Sequence, residues 1–162
     1  MQIVPIKEAM FPQISRIYEH GISTGMATFE TQVPDFQTWN DKYLKHSRLA
    51  IIEGEDVLGW ATLSAVSKRP VYCGVAELSV YLAKEARGRG LGKMLLEGLI
   101  TSSEANGIWS IQSSIFPQNE ASIKLHLKCG FRQIGYKEKI GYRDGRWQDN
   151  VLFERRSPVV GV

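Results

Sequence analysis

Residues 86–96 read ARGRGLGKMLL, with three glycines and three cations packed ahead of an apolar helical run. The pattern matches neither common nucleotide-binding loop. The phosphate loop GxxxxGK[ST] requires Ser or Thr where Met94 follows the lysine, and the glycine spacing 88, 90 and 92 does not fit GxGxxG. What remains is a turn rich in backbone N–H groups at a helix N-terminus, a place that attracts anions such as two adjacent phosphates. A solvated basic turn is an equally good interpretation of these residues alone.

Outward from this turn, apolar periodicity and turn residues predict alternating strands and helices. The predicted strands are 3–7, 49–53, 57–66, 74–82, 108–116, 131–140 and 146–154, and the predicted helices are 8–20, 35–44, 91–106 and 119–128. The connector 21–34 is long for a loop and carries Met26 and Phe29, which makes it a candidate binding segment. The class is therefore α+β or mixed α/β, with a single domain over 1–156 and a flexible C-terminal tail over 157–162.

Composition excludes several kinds of protein. The net charge is +3 in 162 residues, too weak to require a nucleic-acid partner. No apolar run approaches the roughly 20 residues of a membrane span, and the first residues lack the pattern of a signal peptide. Cys73 and Cys129 form no CxxC pair and have no His or Asp partner nearby in sequence, so neither is a predicted nucleophile or metal ligand. We therefore expect a cytoplasmic protein with reduced thiols, and no metal, membrane or nucleic-acid partner.

Three segments together resemble the GCN5-related N-acetyltransferases. Arg87-x-x-Gly90-x-Gly92 resembles that family's [QR]xxGx[GA] acetyl-CoA signature. The stretch ELSVYL at 77–82 precedes it, and the pattern NxxSxxLHxxxGF follows at 119–131. Within the family, the chain is most similar to the phosphinothricin and methionine sulfoximine acetyltransferases, through ATFE at 27–30, RP at 69–70, AE at 76–77 and GRWxD at 145–149.

The resemblance implies a fold and a reaction. The fold would be a mixed, mostly antiparallel sheet of about seven strands with about four helices, in which acetyl-CoA enters a V-shaped split between the fourth and fifth strands. Acetyl would pass directly to the primary amine of a small amino-acid-like substrate, in a homodimer without a metal. A strand bulge near Val80 and Tyr81 would free backbone N–H groups for the thioester oxygen and the pantetheine.

The resemblance also assigns roles to single residues. Glu77 would be the base or ammonium anchor, and His126 would protonate the CoA sulfur. The residues implied to bind acetyl-CoA are Val80, Tyr81, Leu82, Arg87, Gly88, Arg89, Gly90, Leu91, Gly92, Lys93, Asn119 and Ser122. The residues implied to bind the amine substrate are Phe29, Arg69, Pro70, Val71, Glu77, Leu78 and Ser79. Arg69 could hold a substrate carboxylate in a bidentate pair, with Arg143 and Arg146 in the same cleft.

Simpler interpretations stand beside these roles. Glu77 could be a surface or paired strand carboxylate, His126 a packing residue and Asn119 only a helix cap. Val71 and Leu78 also depart from the branch pattern, where an aromatic residue and a histidine are common, so the substrate pocket could differ. Two other functions stay open: acetylation of a peptide or protein amine, and a module that senses acyl-CoA without turnover.

Overall fold

The computed structural model describes all 162 residues and is built on one seven-stranded sheet in the order β1-β2-β3-β4-β5-β7-β6. The strands are β1 Gln2–Pro5, β2 Leu49–Glu53, β3 Asp56–Ala65, β4 Val75–Leu82, β5 Ser110–Ile115, β6 Arg132–Arg143 and β7 Arg146–Arg156. Only β4 and β5 run parallel; every other neighbouring pair is antiparallel. The predicted mixed, mostly antiparallel sheet is thus confirmed.

Four helices cover the sheet: α1 Phe11–Ser23, α2 Phe36–Lys42, α3 Leu91–Ala105 and α4 Glu120–Lys128. α1 and α2 lie on the face that bears Trp60 and Tyr81, because Tyr18 of α1 contacts both rings and Trp39 of α2 packs against Trp60. α3 and α4 cover the opposite face, which presents Leu82 beside α3 and Phe153 beside α4. Trp39 and Trp60 are fully buried, and burial of each large apolar side chain contributes about 1.5–3 kcal/mol. None of the helices combines the length and hydropathy that a membrane span needs.

Sequence patterns located the starts of α2 and α4, whereas α1 begins at Phe11, after a 3-10 turn over Glu8–Met10. Asp35 accepts a hydrogen bond from the Thr38 N–H at 2.8 Å, and Asn119 accepts one from the Ser122 N–H at 3.2 Å. Both are N-caps of the predicted kind. Two details were wrong. Tyr43, predicted within α2, is extended and follows the helix, and Met94, predicted on the buried face of α3, is exposed.

The segment 157–162, expected to be flexible, folds back onto the domain. The Ser157 hydroxyl donates to Glu104 at 2.9 Å, and the Arg156 guanidinium donates to the carbonyls of Val160 and Gly161. Glu104 also pairs with Arg155 at 2.8 Å. These contacts join residues from distant parts of the chain, so composition near the C-terminus could not indicate them.

Candidate active site

The glycine-rich turn presents a run of unpaired backbone N–H groups. Gly88 and Gly90 have φ of +73° and +77°, the left-handed region that glycine adopts without a steric penalty. The N–H groups from Gly88 to Gly90 donate to no carbonyl, and the first backbone bond of the helix runs from the Met94 N–H to the Gly90 carbonyl. The first-turn N–H groups of Leu91, Gly92 and Lys93 have no intrahelical acceptor. Six successive N–H groups, from Gly88 to Lys93, are therefore unpaired at the start of α3, and such a run suits a diphosphate.

The three cations of the turn differ in their partners. Arg89 is held by Glu53 at 3.1 Å, and Lys93 lies 3.6 Å from Glu97 one turn further along α3. Arg87 forms no ion pair and is exposed. Because Arg87 carries the unpaired charge, it is the cation best able to meet a phosphate group.

A split opens between β4 and β5 directly beside this turn. Their parallel pairing covers three positions and ends at Glu77 and Gln112, so the rest of β4 has no neighbour on that edge. The backbone bonds from Ala83 to Leu58 and from Val66 to Val75 fix the alternation of the β3–β4 ladder. Odd-numbered residues of β4 bond to β3, and the N–H groups of Leu78, Val80 and Leu82 face the split.

This geometry corrects the expected strand bulge. The β3–β4 register is continuous from Gly59–Leu82 to Ala65–Ala76, so β4 contains no bulge at Val80 and Tyr81. Divergence of β5 exposes the edge instead. The backbone N–H of Tyr81, which was predicted to bind acetyl-CoA, lies on the edge of β4 that bonds to β3. The backbone N–H groups of Val80 and Leu82 lie on the open edge and are free to donate to a ligand.

A cavity of about 300 Å³ occupies the split and is lined by residues from both faces of the sheet. Side chains alternate along a strand, so the two faces differ in chemistry. The α3–α4 side presents Leu78 and Val80 with Asn119, Ser122 and His126 of the next helix. The α1–α2 side presents a different set: Tyr18, Phe29, Glu30, Lys42, Glu77, Ser79, Tyr81, Ser114 and Asn150.

Glu77 supplies the unpaired carboxylate of the α1–α2 side. It lines the cavity, is exposed, and forms neither an ion pair nor a side-chain hydrogen bond, whereas Glu30 on the same wall lies 3.6 Å from Lys42. Nearby, burial raises the pKa of Tyr18 and of Tyr81, so both phenols stay neutral and can donate hydrogen bonds. Glu77 is therefore the group on this wall that is free to take a proton or hold an ammonium.

His126 lines the opposite side of the cavity and is 1% exposed. Its Nδ1 lies 2.7 Å from the Ser122 carbonyl. A carbonyl can only accept, so Nδ1 carries the hydrogen in the neutral ring. Nε2 then holds a lone pair and has no partner in the chain. Burial lowers the pKa of His126, which favours this neutral form, so at rest Nε2 presents a lone pair and not a proton.

Asn119 has two structural roles. Besides capping α4, its side-chain amide donates to the Met26 carbonyl at 3.3 Å and so ties the connector 21–34 to α4. Ser122 and Asn119 both line the cavity. The structure thus shows the capping role of Asn119, whereas contact of Asn119 and of Ser122 with acetyl-CoA stays a prediction.

The connector covers the cavity through Phe29. The Phe29 ring contacts Phe116 edge-on at 4.8 Å and lies against Gly141 of β6, where an added Cβ would approach the ring to 2.3 Å. Arg143 of the same strand donates to the carbonyls of Thr28 and Ile22. The β6–β7 hairpin therefore holds the Phe29 segment in place.

Three residues predicted to bind substrate lie elsewhere. Arg69, Pro70 and Val71 do not line the cavity. Arg69 stacks over Tyr72 at 5.4 Å, and Val71 is 64% exposed beside a second hollow. Arg146 does not line the cavity either. Within one chain, Lys42 is therefore the only Lys or Arg on the cavity wall.

Several wall residues were not predicted. Tyr18 comes from α1, where apolar periodicity marked it only as a core position, and Asn150 was one polar residue in a predicted strand. Their approach to Glu77 depends on strand order, which no local pattern encodes. No group of three His, Cys, Asp or Glu side chains is arranged to hold a metal. Cys73 and Cys129 are unpaired, and burial raises the pKa of the Cys129 thiol.

The unpaired N–H groups of the glycine-rich turn, the split and the two-sided cavity could together hold a CoA thioester, and comparison with known proteins identifies the family. The model of the acetyltransferase (GNAT) family matches residues 14–131. The chain belongs to this family and is an acetyl-CoA-dependent N-acetyltransferase.

Named relatives indicate which members of the family this chain resembles. The chain is 33% identical over 156 residues to phosphinothricin N-acetyltransferase of Alcaligenes faecalis, covering 93% of this chain and 79% of the relative. It is 31% identical over 152 residues to L-methionine sulfoximine/L-methionine sulfone acetyltransferase of Pseudomonas aeruginosa, covering 90% and 88%. Among solved structures, a phosphinothricin acetyltransferase from Sinorhizobium meliloti in complex with AcCoA superposes with a TM-score of 0.87 at 29% identity, covering 99% and 90%.

Proposed function

We propose that this enzyme acetylates the primary amine of a small amino-acid-like acceptor of the phosphinothricin, methionine sulfoximine or methionine sulfone type. One observation carries the proposal: the split joins a diphosphate cradle on one side to an unpaired carboxylate, Glu77, beneath a Phe29 cover on the other. The named relatives supply the acceptor class. A cavity of about 300 Å³ that is partly covered by Phe29 suits a small acceptor better than a peptide, which needs an open groove.

The reaction needs a neutral amine, because an ammonium has no lone pair. Free α-amino groups have pKa values near 8, so Glu77 takes the first proton and passes it to solvent. The amine nitrogen then attacks the thioester carbonyl carbon and forms the C–N bond. N–H groups on the open edge of β4 donate to the oxygen that gains negative charge.

Collapse of this intermediate breaks the C–S bond. The nitrogen still carries a second proton, and the departing thiolate requires one. Neutral His126 can accept a proton at Nε2 and, once charged, deliver it to sulfur. This order of proton transfers keeps the predicted acid role of His126, but the ring first acts as a base and only then as the acid.

Replacement of Glu77 tests the assignment. Glu77→Gln removes no intramolecular partner, so we expect an intact fold, unchanged acetyl-CoA affinity and a fall in kcat of about 10²–10⁴-fold. Glu55→Gln, at the turn between β2 and β3, is the matched control and should leave turnover unchanged. Thiol release from acetyl-CoA with methionine sulfone, methionine sulfoximine and phosphinothricin provides the readout. Turnover of peptide amines alone would contradict the small-acceptor assignment, and CoA binding without any turnover would indicate a sensor.

We also propose that the enzyme is a cytoplasmic homodimer. The β6–β7 hairpin exposes Tyr142 and Trp147, which are 63% and 60% accessible and contact each other at 5.1 Å. Exposed aromatic pairs of this kind are typical of interfaces. Light scattering should give twice the 18.3 kDa chain mass, and Trp147→Glu should halve it. A monomeric wild-type protein would contradict the proposal. The unpaired cysteines support a reducing compartment.

A further inference from the structure

Asn150 is a buried polar residue on the cavity wall that the proposed chemistry leaves unused. The β5–β7 ladder ends at the pair Ile115 and Val151, and Asn150 lies one residue beyond this pair, outside the ladder. On its other side it pairs with Lys137. Asn150 therefore lies where β5 no longer shields β7 from the split.

The Asn150 carboxamide has no partner in the chain. The residue is 9% exposed, its Oδ1 is buried without a hydrogen bond, and its Nδ2 donates to no protein acceptor. Burial of an unpaired amide is destabilising, and nearly all buried polar side chains in proteins have a partner. Nδ2 is not enclosed in this way, and a ligand in the adjoining cavity can supply its missing acceptor.

Strand alternation places Asn150 on the acceptor side of the sheet. It shares a face with Leu152, which pairs with Ser114, and with Glu154, which pairs with Gln112. Gln112 in turn pairs with Glu77. Asn150 and Glu77 thus face the same side, on strands separated by β5. Phe29 lies above this region through its contact with Phe116.

We infer that Asn150 is a specificity-determining residue that binds a hydrogen-bonding group on the side chain of the acceptor. Oδ1 is the enclosed atom, so Nδ2 is the edge of the carboxamide that can meet a ligand. Nδ2–H is a donor, and its complement is an oxygen acceptor such as a sulfone, sulfoximine or phosphinyl oxygen. The inference rests on the proposed function and extends it to the residue that separates oxidised from unoxidised side chains.

The test compares methionine sulfone with methionine, which share a carbon skeleton and differ in the two sulfur-bound oxygens. For Asn150→Leu, of similar size and apolar, we expect the preference in kcat/KM for the sulfone to fall about tenfold through a higher KM. The KM for acetyl-CoA should not change. Asn150→Asp has the same shape but lacks the donor, so it should also lose the preference.

A control variant and a melting temperature complete the test. Gln148→Leu changes the same kind of side chain two residues earlier on β7, where Gln148 bonds to Gln118 at 3.0 Å outside the cavity; it should leave the preference unchanged. Asn150→Leu should melt at or above the wild-type temperature, because it removes an unpaired buried amide. Equal losses with both acceptors, an effect confined to acetyl-CoA, or a lower melting temperature without a change of preference would overturn the inference alone. Absence of wild-type turnover with every acceptor would overturn the proposed function as well.

Discussion

Substitution of Gly90 isolates the contribution of the diphosphate cradle. Gly90 has φ of +77°, and a Cβ built there meets no atom within 4 Å. The cost of Gly90→Ala is therefore backbone strain and not a clash. The same helix provides a matched control at its other end, since Gly107 has φ of +80° and equally open surroundings but lies far from the turn.

The expected loss of stability is similar for both variants. An L-residue in the left-handed region costs about 1–2 kcal/mol. The entropy of unfolding is roughly 2.1 cal/mol/K per residue, which for 162 residues corresponds to about 3 °C of melting temperature per kcal/mol. Each variant should thus melt about 3–6 °C below the wild type.

Only Gly90→Ala, and not Gly107→Ala, should weaken the use of acetyl-CoA as the acetyl donor. Its new methyl group and relaxed backbone disturb the N–H groups that surround the diphosphate, so kcat/KM for acetyl-CoA should fall about tenfold, the equivalent of about 1.4 kcal/mol. Acetyl-pantetheine has no diphosphate, and its kcat/KM should not change. Equal loss with both donors, or the same loss in Gly107→Ala, would show that the turn does not bind phosphate.

Two further variants test the cover and the relay. Arg143→Met removes the donors to Thr28 and Ile22 and should lower the free energy of unfolding by about 2–4 kcal/mol. It should also raise the KM for the amine but not for acetyl-CoA. Urea titration and steady-state kinetics measure both effects, with exposed Arg146→Met as the control. An unchanged amine KM would contradict a role of Arg143 in holding the Phe29 segment over the cavity. For His126, burial lowers the pKa below the ordinary 6.5, so the unfolded chain binds a proton more readily than the folded one. Wild-type stability should fall as pH drops through 6.5 and level off below the folded pKa. His126→Gln should lose this component in urea titrations from pH 7.5 to 5, and a gap between the two proteins that does not vary with pH would contradict the buried neutral ring.

Local sequence signals predicted the helices, strands and turns because helix caps and glycine turns depend on residues only a few positions apart. Asp35 and Asn119 cap their helices through bonds three residues away, and Gly88 and Gly90 mark a turn that only glycine adopts easily. The family resemblance supplied the mixed, mostly antiparallel sheet of about seven strands and the split between its fourth and fifth strands. It did not supply the length of each element, because tertiary contacts extend β6 and β7 and hold the segment after Arg156.

The features of the candidate site also fall into those set by local sequence and those set by tertiary structure. The sequence alone determined the starts of α2 and α4, the glycine-rich anion turn and a strand carrying Glu77, since each depends on chemistry within a few residues. Only the tertiary structure decided that β5 diverges after Gln112, that Arg69 stays outside the cavity, and that Asn150 joins its wall. Those facts depend on which strands are neighbours and where their pairing ends, and backbone hydrogen bonds between distant segments leave no periodic trace in the chain.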